Sequence, residues 1–187
     1  MRLFFALPLS ETVRETVWSA VRAFPVHDPP WRWIEPENYH LTLKFIGEID
    51  ERRAGELREA GAEAAAGVMP FSLRFGRFGA FPDISRPRVI FYGIEEGFEP
   101  LAALAARLEE ACEALGIARE SRPFRAHLTL ARIKRPLPGP VREKLGAVPP
   151  LPEGTVQTAD RFVLMSSTLA PTGASYDEIA SWSLREG

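Results

Sequence analysis

The pattern of apolar and polar positions along the chain predicts a succession of short strands and amphipathic helices. Apolar residues form compact runs that suit buried strands, and elsewhere recur at the three- and four-residue spacing of a helix face. The chain opens with a strand at residues 2–7, and a helix follows Ser10, whose hydroxyl suits an N-cap. The clearest helical pattern runs from Pro100, in a first-turn position, to Gly116.

The remaining elements follow from the same reasoning. A helix is expected after Asp50, a short one at 141–145, and a turn at Pro171-Thr172-Gly173. Residues 76–87 are rich in glycine and proline and are predicted to form a loop. Further strands are predicted at 40–46, 71–75, 88–93, 127–133, 161–169 and 176–184. Because strands and helices do not alternate strictly, an α+β fold with antiparallel sheets is favoured over a doubly wound parallel one.

The chain also contains an internal duplication. The order strand, helix, His-Leu-Thr-Leu strand occurs at residues 2–46 and again at 88–133, and the two tetrapeptides start 87 residues apart, at His40 and His127. We therefore predict a bilobal, duplicated α+β fold in which two antiparallel β-sheets are flanked by helices. The two pseudo-symmetric lobes form one domain, 1–187, and an active-site groove lies between them.

Composition narrows the kinds of ligand and environment to expect. The net charge of −2 gives no bulk attraction to nucleic acid, so an acidic ligand needs a local cation cluster. Arginine outnumbers lysine by 20 to 3, which favours forked contacts to phosphate. The single cysteine, Cys112, falls in a helical pattern and is interpreted as core packing. No apolar run is long enough to span a membrane, so a cytoplasmic protein without membrane contact is expected.

Each His-Leu-Thr-Leu segment places an imidazole beside a hydroxyl, because alternate residues of a strand share a face. His40 and Thr42 share one face of their strand, as do His127 and Thr129. Two histidines can divide acid and base work near neutral pH, and threonine hydroxyls can donate to phosphate oxygens. Arg132 lies five residues after His127, an odd offset at which a regular strand would turn the side chain away unless a bulge brought it back; a solvated strand end is the equal alternative for it.

Other chemistry is less well supported. Two histidines without a carboxylate or cysteine motif do not complete a zinc site, so no metal and no cofactor are expected. A Gly-x-Ser-x-Gly elbow, a Walker loop and a dinucleotide-binding glycine fingerprint are absent from the sequence. Four aromatic residues are candidates for stacking on a nucleobase, although aromatic residues in first strands and loops more often serve packing: Phe5, Trp31, Trp33 and Phe81.

With these residues in place, the chain resembles the 2H phosphoesterases, and within them the RNA 2′,3′-cyclic phosphodiesterases once called 2′-5′ RNA ligases. The resemblance rests on the two His-Leu-Thr-Leu motifs and on segments at 2–7, 37–48, 87–89, 122–132 and 166–176. It implies metal-independent hydrolysis of a 2′,3′-cyclic phosphate to a 2′-phosphomonoester. By position His40 matches the proton donor and His127 the proton acceptor, while Thr42, Thr129 and Arg132 match phosphate contacts. Ala126 replaces the proline common before the second motif.

Two alternatives remain open from the sequence. One is another 2H reaction, such as cleavage of 2′-5′ oligonucleotides or reversible 2′-5′ joining of RNA ends. The other is a module that binds RNA ends or nucleotides without turnover, which the presence of both histidines disfavours. The expected partners are RNA ends or nucleotides that carry a 2′,3′-cyclic phosphate, and a monomer without an obligatory protein partner is expected.

Overall fold

The structure is a computed structural model that describes residues 1–170 and 173–185. Short 3₁₀ turns, Pro36–Asn38 and Glu51–Arg53, precede β2 and α2. In chain order the strands and helices are β1 (Arg2–Pro8), α1 (Glu11–Arg22), β2 (His40–Glu48), α2 (Ala54–Ala65), β3 (Phe71–Phe81), β4 (Val89–Glu96), α3 (Phe98–Ala114), β5 (His127–Arg132), α4 (Gly139–Gly146), β6 (Val156–Ala159), β7 (Arg161–Ala170) and β8 (Gly173–Ser183). The α+β class predicted from the sequence is confirmed.

The strands form one antiparallel sheet in the order β6-β3-β4-β5-β2-β1-β7-β8. The two expected sheets are its four-stranded halves, which meet where β2 pairs with β5 through Leu41 and Leu128. The duplication is visible in this order, because β1 and β2 occupy the same places on one side of the junction as β4 and β5 on the other. The two copies of the motif therefore meet at the centre of the sheet.

Local signals in the sequence account for several element ends. The Ser10 hydroxyl accepts a hydrogen bond from the backbone N–H of Val13, as expected of an N-cap. Gly116 has a φ of +75°, which suits the end of α3. Asp50 caps the 3₁₀ turn Glu51–Arg53 rather than α2 itself, because its carboxylate accepts from the N–H of Arg52. The predicted turn at Pro171-Thr172 lies outside the described residues.

Strand β3 is longer than predicted. Residues 76–81, interpreted as part of a loop, continue β3 and pair with β4. The glycines that suggested a loop serve close packing instead. A Cβ on Gly79 would lie 2.8 Å from the ring of Phe91, and one on Gly76 would meet the carboxylate of Glu95. Strand β6, a short edge strand at Val156–Ala159, was not predicted.

The main core lies between the helices and one face of the sheet. It contains the buried stripe of α1, Val13, Val17 and Val21, together with apolar residues from β1, β2 and α3. Cys112 belongs to this core, as predicted, and burial raises the pKa of its thiol to about 11. A second, small cluster of Phe4, Ala6 and Val163 lies on the opposite face of β1 and β7. This opposite face, called the open face below, carries the candidate site.

Candidate active site

The register at the centre of the sheet brings the two motifs together on the open face. Leu41 pairs with Leu128 where β2 meets β5, and both side chains are fully buried on the helix side. Continuing this antiparallel register by one residue sets His40 across from Thr129 and Thr42 across from His127. The two imidazoles are then diagonal neighbours, each beside a hydroxyl, on adjacent strands. They lie where the two four-stranded halves of the sheet meet.

Both histidines are held by the same backbone contact. Nδ1 of His40 lies 2.8 Å from the carbonyl oxygen of Asn38, and Nδ1 of His127 lies 2.6 Å from that of Arg125. A carbonyl oxygen only accepts hydrogen bonds, so Nδ1 carries the proton in both rings. Nε2 is therefore the titrating nitrogen of each imidazole, able to accept a proton when neutral and to donate one when charged.

Aromatic side chains fix the orientation of each imidazole. The His40 ring lies between Phe4, at a centroid distance of 4.9 Å, and the edge-on ring of Tyr176, at 5.1 Å. The His127 ring meets Phe81 at 5.0 Å and Phe91 at 5.4 Å, and these two phenylalanines stack on each other at 4.3 Å. Of the four contacts, the sequence had singled out only Phe81, and only as a candidate for base stacking.

The surroundings favour the neutral form of both imidazoles. Burial lowers the pKa of His40 from 6.5 to about 4, and the positive charges of Arg132 and His127 add to this effect, against the raising effect of the Asn38 hydrogen bond. Burial also lowers the pKa of His127, with a further contribution from Arg132. An anion bound among these groups would raise both pKa values, because it stabilises the charged imidazoles.

A β-bulge turns Arg132 toward the site. In the pairing of β4 with β5, Ile90 lies opposite Ala131 and Phe91 lies opposite Thr129, so Leu130 is the extra residue. Leu130 and Ala131 are both fully buried, and the alternation resumes one residue late with Arg132 exposed. Arg132 thus returns to the face of His127 and Thr129 despite its odd offset. Its charge acts on both histidines.

The first motif has the same bulge with a different residue after it. In the pairing of β1 with β2, Phe5 lies opposite Lys44 and Ala6 opposite Thr42, so Leu43 is extra. Lys44 points to the helix side, where it bonds Glu109 of α3 at 2.7 Å. Phe45 is therefore the counterpart of Arg132. It is 45% exposed on the open face, with the guanidinium of Arg2 4.9 Å from its ring centroid. The sequence reasoning missed Phe45.

Three of the aromatic candidates do not lie in the site. Phe5 was proposed as a substrate contact, but it is fully buried on the helix side, against Phe162 and Trp182. That prediction is wrong, because neighbouring strand residues face opposite ways and it is Phe4 that borders His40. Trp31 and Trp33 pack edge to face against each other and join the main core.

Comparison with known proteins identifies the family of this chain. The family model described as LigT like Phosphoesterase matches the chain twice, over residues 7–91 and 93–176, one match for each copy of the motif. The chain belongs to the LigT-like phosphoesterases. This confirms the family expected from the sequence, and the double match corresponds to the duplication, since the first match contains β2 and the second contains β5.

Relatives of this LigT-like phosphoesterase align over nearly its whole length. A protein of Archaeoglobus fulgidus named RNA 2′,3′-cyclic phosphodiesterase is 34% identical over 96% of this chain and 98% of its own. A protein of Thermus thermophilus with the same name is 38% identical over 99% of this chain and 91% of its own. A crystal structure of a Thermus thermophilus protein superposes with a TM-score of 0.81 at 34% identity, covering 100% of this chain and 99% of that one.

Metal sites and membrane-spanning helices were sought in the described residues of this LigT-like phosphoesterase, 1–170 and 173–185. No three His, Cys, Asp or Glu side chains come together there in an arrangement that could hold a metal ion. In the same range, no helix has the length and apolar character needed to cross a membrane.

Proposed function

We propose that the protein hydrolyses the 2′,3′-cyclic phosphate of an RNA end or nucleotide to the 2′-phosphomonoester, by two-histidine acid–base catalysis without a metal. The observation that carries this proposal is the pair of imidazoles on one sheet face, each with Nδ1 tied to a carbonyl and Nε2 left for the substrate. The relatives named RNA 2′,3′-cyclic phosphodiesterase support the choice of substrate.

The reaction proceeds by displacement at phosphorus. Nε2 of His127 takes a proton from a water molecule, and the water oxygen bonds to phosphorus while the bond from phosphorus to O3′ breaks. Nε2 of His40, protonated in the substrate complex, gives its proton to the departing O3′. The bond to O2′ is retained, so the product is a 2′-phosphate with a free 3′-hydroxyl.

The remaining site residues bind the phosphate. The hydroxyls of Thr42 and Thr129 donate hydrogen bonds to the non-bridging oxygens, whose charge grows in the transition state. Arg132 supplies the positive charge on the same face. Phe45, exposed beside the motif that carries His40, offers a flat apolar surface on which the base of the terminal nucleotide can stack.

The position of the phosphate in the product tests the proposal. RNA ending in a 2′,3′-cyclic phosphate is incubated with the protein in the presence of a chelator, and the product is identified by ³¹P NMR. The expected product is the 2′-phosphate. A 3′-phosphate, or activity only after a divalent metal is added, would overturn the proposal. The proposal also takes the protein to be cytoplasmic and monomeric. Its molecular mass in solution, measured by light scattering, tests whether it is a monomer.

A further inference from the structure

We propose that five cations beyond Arg132 form a surface that binds the phosphates of an RNA chain upstream of the reacting end. The basic rim, as this surface is called here, consists of Arg86, Arg88, Lys134, Arg135 and Arg142. The inference rests on the proposed function for the identity of the end group. It adds that the ligand is a polynucleotide rather than a mononucleotide.

Three segments converge to build the basic rim. The N–H of Ile133 donates to the carbonyl of Arg88 at 2.8 Å, which extends the pairing of β4 with β5 past Arg132. The Arg88 guanidinium then donates to the carbonyl of Lys134 at 3.2 Å. Arg142 of α4 donates to the carbonyl of Ser85 at 3.0 Å. Backbone and side-chain contacts thus hold the loop after β3, the segment after β5 and the start of α4 together.

The charge of these segments is opposite to that of the rest of the protein. Residues 82–88 and 132–144 contain seven Arg or Lys and two Asp or Glu, a net charge of +5. Since the whole chain carries −2, the remaining residues carry −7. A positive surface on an otherwise acidic molecule is the electrostatic footprint expected where a polyanion binds.

The rim cations are also not neutralised by neighbouring carboxylates. Among the residues that the structure describes, none of the five takes part in an ion pair, whereas Arg74, Arg119 and Arg161 each do. The nearby acid Asp83 instead accepts from the backbone N–H groups of Ser85 and Arg86. Four of the five rim side chains are exposed, and Arg142 is partly buried. Among the described residues, the positive charge of the rim is therefore not neutralised by an ion pair with a carboxylate.

The basic rim is continuous with the phosphate site. Arg132 is exposed, Ile133 is buried and Lys134 is exposed, so Arg132 and Lys134 lie on one side of the extended segment. Two residues along a strand span about 7 Å, which is close to the spacing of successive phosphates in a single-stranded RNA. An RNA whose terminal phosphate contacts Arg132 can therefore place its preceding phosphates along the rim. A cyclic mononucleotide cannot use this surface.

The test compares a charge-reversed rim with a matched control. Lys134→Glu/Arg135→Glu reverses two exposed rim cations, and Arg22→Glu/Arg185→Glu makes the same charge change away from the rim. The readouts are the ratio of kcat/KM for an RNA of about ten nucleotides ending in a 2′,3′-cyclic phosphate to that for a cyclic mononucleotide, and the Kd of the same RNA ending in a 2′-phosphate. Each is measured across a salt series.

We expect the rim variant to lower the ratio and weaken RNA binding by about tenfold or more, and to reduce the slope of log Kd against log salt by about 1.4 for two lost phosphate contacts. The control variant should change neither readout. An unchanged ratio and Kd in the rim variant would overturn the inference while leaving the proposed hydrolysis intact. Rim-dependent RNA binding without turnover of either substrate would overturn the proposed hydrolysis and support the rim.

Discussion

The lowered pKa values of the two histidines predict an acid-shifted pH profile. Burial brings the pKa of His40 to about 4 and lowers that of His127 from 6.5. Catalysis needs one imidazole charged and the other neutral, and that combination is most populated midway between the two pKa values of the pair. Because both pKa values lie below the ordinary value of 6.5, kcat/KM should peak on the acid side of pH 6.5.

The lowered histidine pKa values also predict a difference between the pH profiles of kcat and kcat/KM. A lowered pKa means that the proton is lost at lower pH, so at pH 7 His40 is almost entirely neutral in the free enzyme. The bound cyclic phosphate is an anion, which stabilises the charged rings and raises both pKa values. The kcat profile, which reports the substrate complex, should therefore peak at higher pH than the kcat/KM profile, which reports the free enzyme.

The assay follows initial rates with a nucleoside 2′,3′-cyclic phosphate from about pH 4 to about pH 9 at constant ionic strength, beside an NMR titration of the imidazole protons. The His40→Ala variant assigns the His40 signals by their loss. Two results would refute the reasoning: a kcat/KM maximum above neutral pH, or a His40 pKa at or above 6.5 in the free protein.

Three further predictions follow from the site. Replacing His40 or His127 by alanine should each lower kcat by about 10²- to 10⁴-fold, and near-normal turnover in either variant would remove that histidine from the chemistry. Arg132→Gln should lower kcat/KM by about 10²-fold or more and move the kcat/KM optimum toward neutral pH, since its charge lowers both histidine pKa values; an unmoved optimum would contradict its placement. Phe45→Ala should raise KM with little change in the free energy of unfolding, whereas Phe5→Ala should lower the free energy of unfolding by about 3–5 kcal/mol, measured by chemical denaturation. The reverse pattern would contradict the assignment of Phe45 to the open face and Phe5 to the helix side.

The parts of the site that could be predicted are those set by local alternation. His-Leu-Thr-Leu alternates between polar and apolar residues, so the sequence alone places His40 with Thr42 and His127 with Thr129 on one face. The repeat of this pattern indicated the duplication, and the family model confirms it by matching twice.

The parts that could not be predicted depend on non-local pairing. Arg132 and Phe45 reach the open face only because Leu130 and Leu43 are extra residues in their strands, and a bulge is visible only once the partner strand is known. Strand β1 is buried on both faces from Leu3 to Leu7, so its sequence has no alternation that could separate Phe4 from Phe5.

The prediction of a loop at residues 76–81 also failed because it depended on non-local packing. Gly76 and Gly79 look like loop residues in isolation, but their missing side chains make room for Glu95 and Phe91 of the neighbouring strand. The aromatic contacts of the histidines were missed because they come from distant positions, Phe91 on β4 and Tyr176 on β8. Their arrangement is a product of the fold, not of any local motif.

The central claim is that both imidazoles act on one phosphorus atom through Nε2. A crystal structure with a nucleoside 2′-phosphate tests it most directly. The account predicts that Nε2 of His40 and Nε2 of His127 each lie within hydrogen-bonding distance of a different oxygen on the same phosphate or its ribose, with Nδ1 of both rings still bonded to the carbonyls of Asn38 and Arg125. A phosphate held by only one of the two rings, or bound away from both, would contradict it.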